Sequence, residues 1–399
     1  MSENLASQRL ISLDALRGFT IAGMVIVNDP GSWGSVYPPL LHASWHGITP
    51  TDLVFPFFLF MVGVSITLAY TKRLSAGADK GGLYKKIFTR AIKIMLLGWF
   101  LWLWPNFNWE GMRFAGVLPR ISLVFLACAL IFLNTNWKQQ VWIGSTILVV
   151  YWGMLALIPV PIDDVIQNAI TTGTVEGSGH RIIELNGIRQ ISEGFIAPNY
   201  EPGINIASWL DRIILPGRFW EVTWDPEGFM STLPAIVTGI IGMLMGKLYL
   251  SLDNPFKRLT WLFFAGFSMF LASEIWGWFM PFNKNLWTSS YTLWTAGVAT
   301  MGLAACILVV DILGYQKWTK LGRIYGANAI TSYVLAGMLT LVFYSDIWGG
   351  YALNRLFMDG VTGLGVAPEL ASLMYAVIYM LIIYIPALIL YNKKIFIKV

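Results

Sequence analysis

Reactive and charged side chains are scarce in this 399-residue chain. It has two cysteines, Cys128 and Cys306, each inside an apolar run (SLVFLACALIF and GLAACILVV) with no Cys or His beside it. That excludes a disulfide framework and a cysteine-based zinc site, and leaves both as helix-packing residues. Three histidines, His42, His46 and His180, make a short list for imidazole chemistry. Charged residues are only 12% of the chain, about half the roughly 25% of a soluble domain. GxGxxG, Walker A, GxSxG and CxxC patterns are absent, so neither a nucleotide-binding fold nor a serine-nucleophile elbow is expected. A net charge of +5 is too small to argue for a nucleic-acid partner.

What the chain has is apolar and aromatic surface: 56% hydrophobic residues, with 19 Trp, 16 Tyr and 24 Phe. Trp and Tyr in such numbers suit the two interfaces of a lipid bilayer. The expected fold is all-α: a polytopic integral membrane protein forming one transmembrane domain over 1–399. About 20 apolar residues cross the hydrocarbon core. On that measure ten spans are expected, near 13–34, 52–71, 90–107, 117–134, 140–158, 229–249, 259–280, 290–313, 326–345 and 369–391. The run FTIAGMVIVN between Arg17 and Asp29 lacks a small-x-small cleavage site, so it reads as a retained span rather than a signal peptide.

Loop charge orients the bundle. Lys72, Arg73, Lys80, Lys85, Lys86, Arg90 and Lys93 follow span 2, Lys317, Lys320 and Arg323 follow span 8, and Lys393, Lys394 and Lys398 end the chain. With ten spans these share one side, which the positive-inside rule makes cytoplasmic together with both termini. The connection at about 159–228 falls opposite. It has no Lys, four Arg and ten acids, and a loop that long reads as functional; an extracytoplasmic cap is expected.

Three constellations could carry chemistry. In VNDPGSWGSVYPPLLHASWHGITPTDLVFP, Asn28 is either a polar group at membrane depth or a helix C-cap before Asp-Pro-Gly. His42 and His46, four apart, would share a helical face, but without a neighbouring Glu or Cys they suit proton transfer better than a metal; no metal site is expected. Asp52 could orient such a base, and Thr49-Pro50-Thr51-Asp52 also reads as a capping box. Trp45 lies in the same stretch as a candidate substrate contact. In WDPEGFMSTLPAI, Asp225 and Glu227 are either an N-cap and a first-turn acid or an acidic patch for a cationic acceptor. In PFNKNLWTSSY, Asn283, Lys284 and Asn285 either bind a polar ligand or form an interfacial turn. Glu274, inside FLASEIWGWF, must face a cavity or a partner.

These segments together resemble the heparan-α-glucosaminide N-acetyltransferase family of polytopic membrane acyltransferases. RLISLDALRGFTIAGMVIVN, HASWHGITPTDLVFPFFLF, DPEGFMSTLPAI, PFNKNLWTSSY and the terminal YNKKIFIKV occur in the family's order along nearly the whole chain. The resemblance implies acetyl transfer from acetyl-CoA to the amine of a glucosamine-type sugar on the far side of the membrane. It implies His42 as the active-site residue, Asn28 beside it and Asp52 as the acid of the DLVFP motif. His46 stands where the lysosomal member has Asn. Bacterial members place the chain in the cytoplasmic (inner) membrane as a multi-pass protein. Some are labelled amino-sugar transporters, so transport without acetylation is the alternative. The phosphates of acetyl-CoA would meet cytoplasmic Lys and Arg, with Lys72, Arg73, Arg90, Lys93 and Lys247 as candidates. A homodimer remains open.

Overall fold

The computed structural model describes residues 10–347 and 349–397; Arg9 and Lys398, which flank the first and last spans, lie outside them. The helices are α1 (Ile11–Asn28), α2 (Val54–Ser75), α3 (Lys80–Leu103), α4 (Val117–Asn134), α5 (Trp137–Leu157), α6 (Asp164–Thr172) and α7 (Ile206–Ile214). They continue with α8 (Phe229–Ser251), α9 (Pro255–Gly277), α10 (Ser289–Cys306), α11 (Lys320–Ala327), α12 (Ala329–Tyr344), α13 (Leu353–Gly363) and α14 (Pro368–Asn392). The protein is an all-α polytopic membrane protein. Among the described residues eight helices are long and apolar enough to cross a membrane, or nine if the bent pair α11–α12 counts as one span.

Three of the expected spans take a different form. The segment 13–34 is helical only to Asn28, and α1 begins at Ile11; its 18 residues rise about 27 Å, enough to approach the full core thickness. The segment 90–107 is helical only to Leu103, as the second half of α3, and the Lys and Arg of 80–93 lie on that helix rather than in a loop. Leu83, Ile87, Ala91 and Ile94 are buried along one face and Lys85, Lys86, Arg90 and Lys93 are exposed, the 3–4 spacing of an amphipathic helix. Asp79 starts it by accepting from the Gly82 N–H at 2.8 Å. The segment 326–345 breaks at Asn328, where the axis turns by 75°. The Asn328 amide donates to the Ile395 carbonyl (3.1 Å) and accepts from the Ile397 N–H (2.8 Å), tying the break to the chain's end.

The bend lets α11 lie against α1 at backbone distance. A Cβ on Gly18 would fall 1.6 Å from the Gly322 carbonyl oxygen, and one on Gly326 would fall 2.1 Å from that of Asp14. Small residues four apart are how membrane helices gain packing without a hydrophobic driving force. The open N-terminus of α1 is satisfied from elsewhere: Asp311 accepts from the Ile11 and Ser12 N–H groups at 3.2 and 3.4 Å, meeting donors that lack intrahelical partners. Glu274 in α9 accepts from the Trp294 indole at 2.8 Å, so it faces a partner helix. Cys128 is buried, Cys306 half-buried, and both are free thiols.

Between α5 and α8 the chain builds two small sheets. β2 (Thr174–Glu176) pairs antiparallel with β3 (Ile182–Glu184), while β5 (Phe195–Ile196) lies between β1 (Val160–Pro161) and β4 (Gln190–Ser192). Asp163 caps α6 and also holds Arg212 of α7 at 2.8 Å. Val160, Ile196 and Trp224 pack with Tyr151, Met280 and Leu286 in one apolar cluster. This segment is thereby fastened to the ends of α5 and α9.

Candidate functional site

The site grows out of a local turn. Thr49 and Asp52 form the capping box expected from the sequence, at the head of the short 3₁₀ turn Pro50–Leu53 that leads into α2. Asp52 Oδ2 accepts from the N–H groups of Thr49 (3.0 Å) and Ala43 (3.1 Å). Its other oxygen, Oδ1, faces His42 Nδ1 at 2.7 Å, and the Tyr291 hydroxyl donates to its backbone carbonyl at 2.6 Å. The Asp52 side chain is 1% exposed and that of His42 is 43% exposed. A buried carboxylate fixed on one oxygen therefore presents the other to a solvent-facing imidazole. With Nδ1–H donating to Asp52, Nε2 carries the lone pair, the tautomer required of a general base.

His42 and His46 do not share a helical face, because residues 41–49 are irregular. His46 Nδ1 lies 3.3 Å from the Asn283 amide, and burial holds its pKa below the ordinary value against an opposing pull from Glu201. Asn283 is buried; its amide also donates to the Trp45 carbonyl (2.9 Å) and its oxygen accepts from the Leu286 N–H (2.8 Å). Trp45 donates its indole N–H to the Tyr200 carbonyl at 2.7 Å and packs edge-on to Trp224. Both residues therefore join the His42 loop to its surroundings.

Lys284 is the residue the tertiary fold delivers. Its Nζ lies 3.0 Å from each ring nitrogen of His42 and 3.8 Å from Asp52 Oδ1. Burial pulls its pKa below that of a free lysine, against Asp52 and Glu227, which favour the charge. Asn285, next in sequence, is half-buried and takes no part in these contacts.

Asp225 does not cap α8. The helix starts after Gly228, and Asp211 of α7 accepts from the Met230 N–H (2.9 Å) in its first turn. Asp225 is gripped by Arg113, whose Nε and Nη2 donate to its two oxygens at 2.6 Å each; Nη2 also reaches Glu227 at 2.6 Å. Burial raises the pKa of Glu227, but Arg113, Arg120 and Lys284 outweigh it and hold the carboxyl ionised. The two acids are thus engaged by arginine. Arg113 and Arg120 are the residues that sequence reasoning missed. Arg120 is buried in α4, bonded to Ser231 and to the Gly228 carbonyl (3.2 Å), with its guanidinium 5.1 Å from the centre of the Trp287 ring. The signal was present: an arginine within an apolar span must be partnered or functional.

Asn28 closes α1 as an exposed residue, and its side chain makes none of the hydrogen bonds that tie the His42 cluster. Its neighbour Asp29 is buried. At the other end of α2, some 20 residues and about 30 Å from Asp52, Lys72 and Arg73 are exposed. Arg73 lies over the Tyr70 ring (5.4 Å) and Arg90 over that of Phe125 (4.8 Å); Arg17 and Arg73 are each within electrostatic reach of Arg90. Lys93 is exposed on α3. Lys247 is committed to the Gln140 side chain at 3.0 Å. Among the described residues no three His, Cys, Asp or Glu gather to hold a metal.

Residues 9–166 match the family model described as heparan-alpha-glucosaminide N-acetyltransferase, catalytic. That stretch contains α1 to α5 and the His42–Asp52 pair but not Lys284. Over 98% of its length the chain is 29% identical to human heparan-alpha-glucosaminide N-acetyltransferase, and over 82% it is 28% identical to the mouse protein of that name. The resemblance seen in the sequence motifs therefore holds along most of the chain. The matched regions cover 60% of the human protein and 53% of the mouse protein.

Proposed function

We propose that this chain, a relative of those transmembrane acetyltransferases, moves an acetyl group from cytoplasmic acetyl-CoA to the amine of a glucosamine-type sugar on the extracytoplasmic side of a bacterial inner membrane. The observation that carries the reading is the His42–Asp52 pair at 2.7 Å, with Nε2 left free beside a lysine amine. An amino sugar is largely an ammonium ion at neutral pH, and its lone pair must be freed before it can attack a carbonyl. Neutral His42 does this from Nε2, and Asp52 stabilises the imidazolium that forms. Asn28, exposed where α1 ends, supplies an amide donor for the carbonyl oxygen. The acids of 159–228 draw a cationic sugar towards that end.

The residues at the opposite end fit the nucleotide part of acetyl-CoA. Arg73 lies within electrostatic reach of Arg90 there, Lys72 and Lys93 are exposed on the same helices, and guanidinium groups suit phosphate oxygens. When bound, acetyl-CoA supplies an acetyl carbonyl activated by a thiolate leaving group. With α3 counted as a tenth crossing beside the eight apolar helices and the bent pair α11–α12, both termini fall on the cytoplasmic side. The test uses proteoliposomes of known orientation, with acetyl-CoA sealed on one face and glucosamine on the other. Acetylated sugar should collect on the face bearing 159–228, and only with acetyl-CoA opposite. Product made solely when both substrates share a compartment would overturn the two-sided geometry. Glucosamine uptake without acetylation would replace transfer by transport.

A further inference from the structure

The Lys284 amine occupies the position that chemistry reserves for an acceptor amine. A general base must lie within about 2.6–3.2 Å of the group it deprotonates, and Nζ stands 3.0 Å from His42 Nε2. The same nitrogen is 3.0 Å from Nδ1, which Asp52 already engages. The two ring nitrogens flank one carbon, so an amine equidistant from both is not aligned on the Nε2 lone pair. At 3.0 Å from both nitrogens it lies over the face of the ring, without a hydrogen bond in line with either lone pair. Its side chain is 18% exposed, and the flexible four-carbon stem of lysine permits small displacements. Two ammonium groups cannot stand at one base, so an incoming acceptor must push Lys284 aside.

We infer that Lys284 is a self-acetylation site: with an acetyl thioester present and no acceptor amine, Nζ takes the acetyl group in the sugar's place. This rests on the acetyltransferase reading above. Nζ gives one proton to His42 Nε2, and its freed lone pair attacks the thioester carbonyl. The C–N bond forms and the C–S bond breaks. The proton held by His42 passes to the departing sulfur, and the second proton lost by nitrogen goes to solvent. The products are Nε-acetyl-lysine and the free thiol of CoA. The amide is not an acyl donor under these conditions, so the modification is terminal rather than a step in turnover. It also removes the charge that faces Asp52 and Glu227 and fills the acceptor's place, so it closes the site. Burial, which lowers the lysine's pKa, increases the share of reactive neutral amine relative to an exposed lysine.

The full-length protein in nanodiscs, incubated with acetyl-CoA alone, is digested and mapped by mass spectrometry against time. The peptide containing Lys284 should gain one acetyl group at least about tenfold faster than the peptide containing Lys138, which is exposed on α5. Glucosamine at saturating concentration should suppress the gain, and transfer activity should fall as the modified fraction rises. In His42→Ala the rate at Lys284 should drop to that at Lys138. Lys284 modified no faster than Lys138, or equally fast with glucosamine present, overturns the inference in the wild-type protein, without reliance on a variant that folds. Acetylated glucosamine with unmodified Lys284 overturns it while leaving the proposed function standing. No acetylation of any amine overturns both.

Discussion

Basic residues at the two ends of this bundle lead opposite lives. At the end of α2 and along α3, Lys72, Arg73, Lys85, Lys86, Arg90 and Lys93 are exposed. At the His42 end, Arg113 and Arg120 are buried and Lys284 is largely so, each within reach of carboxylates. The same residue types thus serve different physics. An exposed charge contributes little to stability and stays available to an outside anion. A buried ion pair holds its surroundings to one arrangement, and removal of one partner strands the other.

The strongest test of that contrast is Arg113→Ala. It would leave Asp225, which accepts two bonds of 2.6 Å from Arg113, and Glu227, which accepts a third, buried without their cation. Breaking such a pair costs about 3–5 kcal/mol, and burial between Trp102 and Trp220 keeps salt from screening it. Unfolding in detergent micelles should show a loss of that size, unchanged between low and high salt. A loss below about 1 kcal/mol would place Arg113 with the exposed class.

Next in size is Asp211, a buried acid at the joint of α7 and α8. Burial raises its pKa from 3.8 to about 7, although the Met230 N–H and Arg120 favour its charge. An acid whose folded pKa is raised gives its full stability below the unfolded value near 4, and that contribution is lost as pH climbs through about 7. Asp211→Asn removes this dependence and keeps an oxygen for the Met230 N–H. The variant should match the wild type near pH 4 and gain on it up to pH 7, reaching on the order of 4 kcal/mol by pH 8 at about 1.4 kcal/mol per pH unit. Chemical denaturation of both proteins across pH 4–8 reads it directly. A difference that stays flat with pH would mean that Asp211 is ionised throughout.

These buried groups also mark where the sequence stopped being legible. Apolar runs near 20 residues gave the membrane class, because crossing a bilayer leaves a signal in composition alone. The Thr49–Asp52 capping box was readable because its parts lie within four residues. Asp225 misled: Asp-Pro-Glu is local helix-start chemistry, and only the fold shows that Arg113, 112 residues away, competes for that carboxyl. The charges of α3 looked like a loop because an amphipathic face at a membrane surface carries as much charge as a connection. Lys284 was noticed for its motif, but its meeting with His42, 242 residues distant, is tertiary. Arg120 was legible and overlooked.

His42→Ala probes the chemistry that the buried end supports. The imidazole is 43% exposed, and the Thr49 and Ala43 N–H groups and Lys284 still hold the Asp52 carboxylate, so its loss should move unfolding stability little. Acetyl transfer should fall at least about 100-fold, about 2.7 kcal/mol in the barrier, with affinity for CoA retained. Turnover within threefold of wild type would remove His42 from the proposed role of base.

The smallest effects are expected at the exposed basic end, and there selectivity matters more than size. Arg73→Ala and Arg90→Ala should each change stability by no more than about 0.5 kcal/mol. If their guanidinium groups meet phosphates of acetyl-CoA, each loss removes a contact made equally before and during reaction. KM for acetyl-CoA should then rise about fivefold, for about 1 kcal/mol, with kcat unchanged and KM for the sugar untouched. The increase should shrink in high salt, because solvent-exposed charges are screened over about 8–10 Å near physiological ionic strength. That salt sensitivity is the opposite of the response expected for Arg113, and the pair of measurements separates the two ends by mechanism. An unchanged KM in both variants would leave Arg73 and Arg90 only the task of orienting the bundle, and would move the phosphates towards the remaining exposed charges, Lys72 and Lys93.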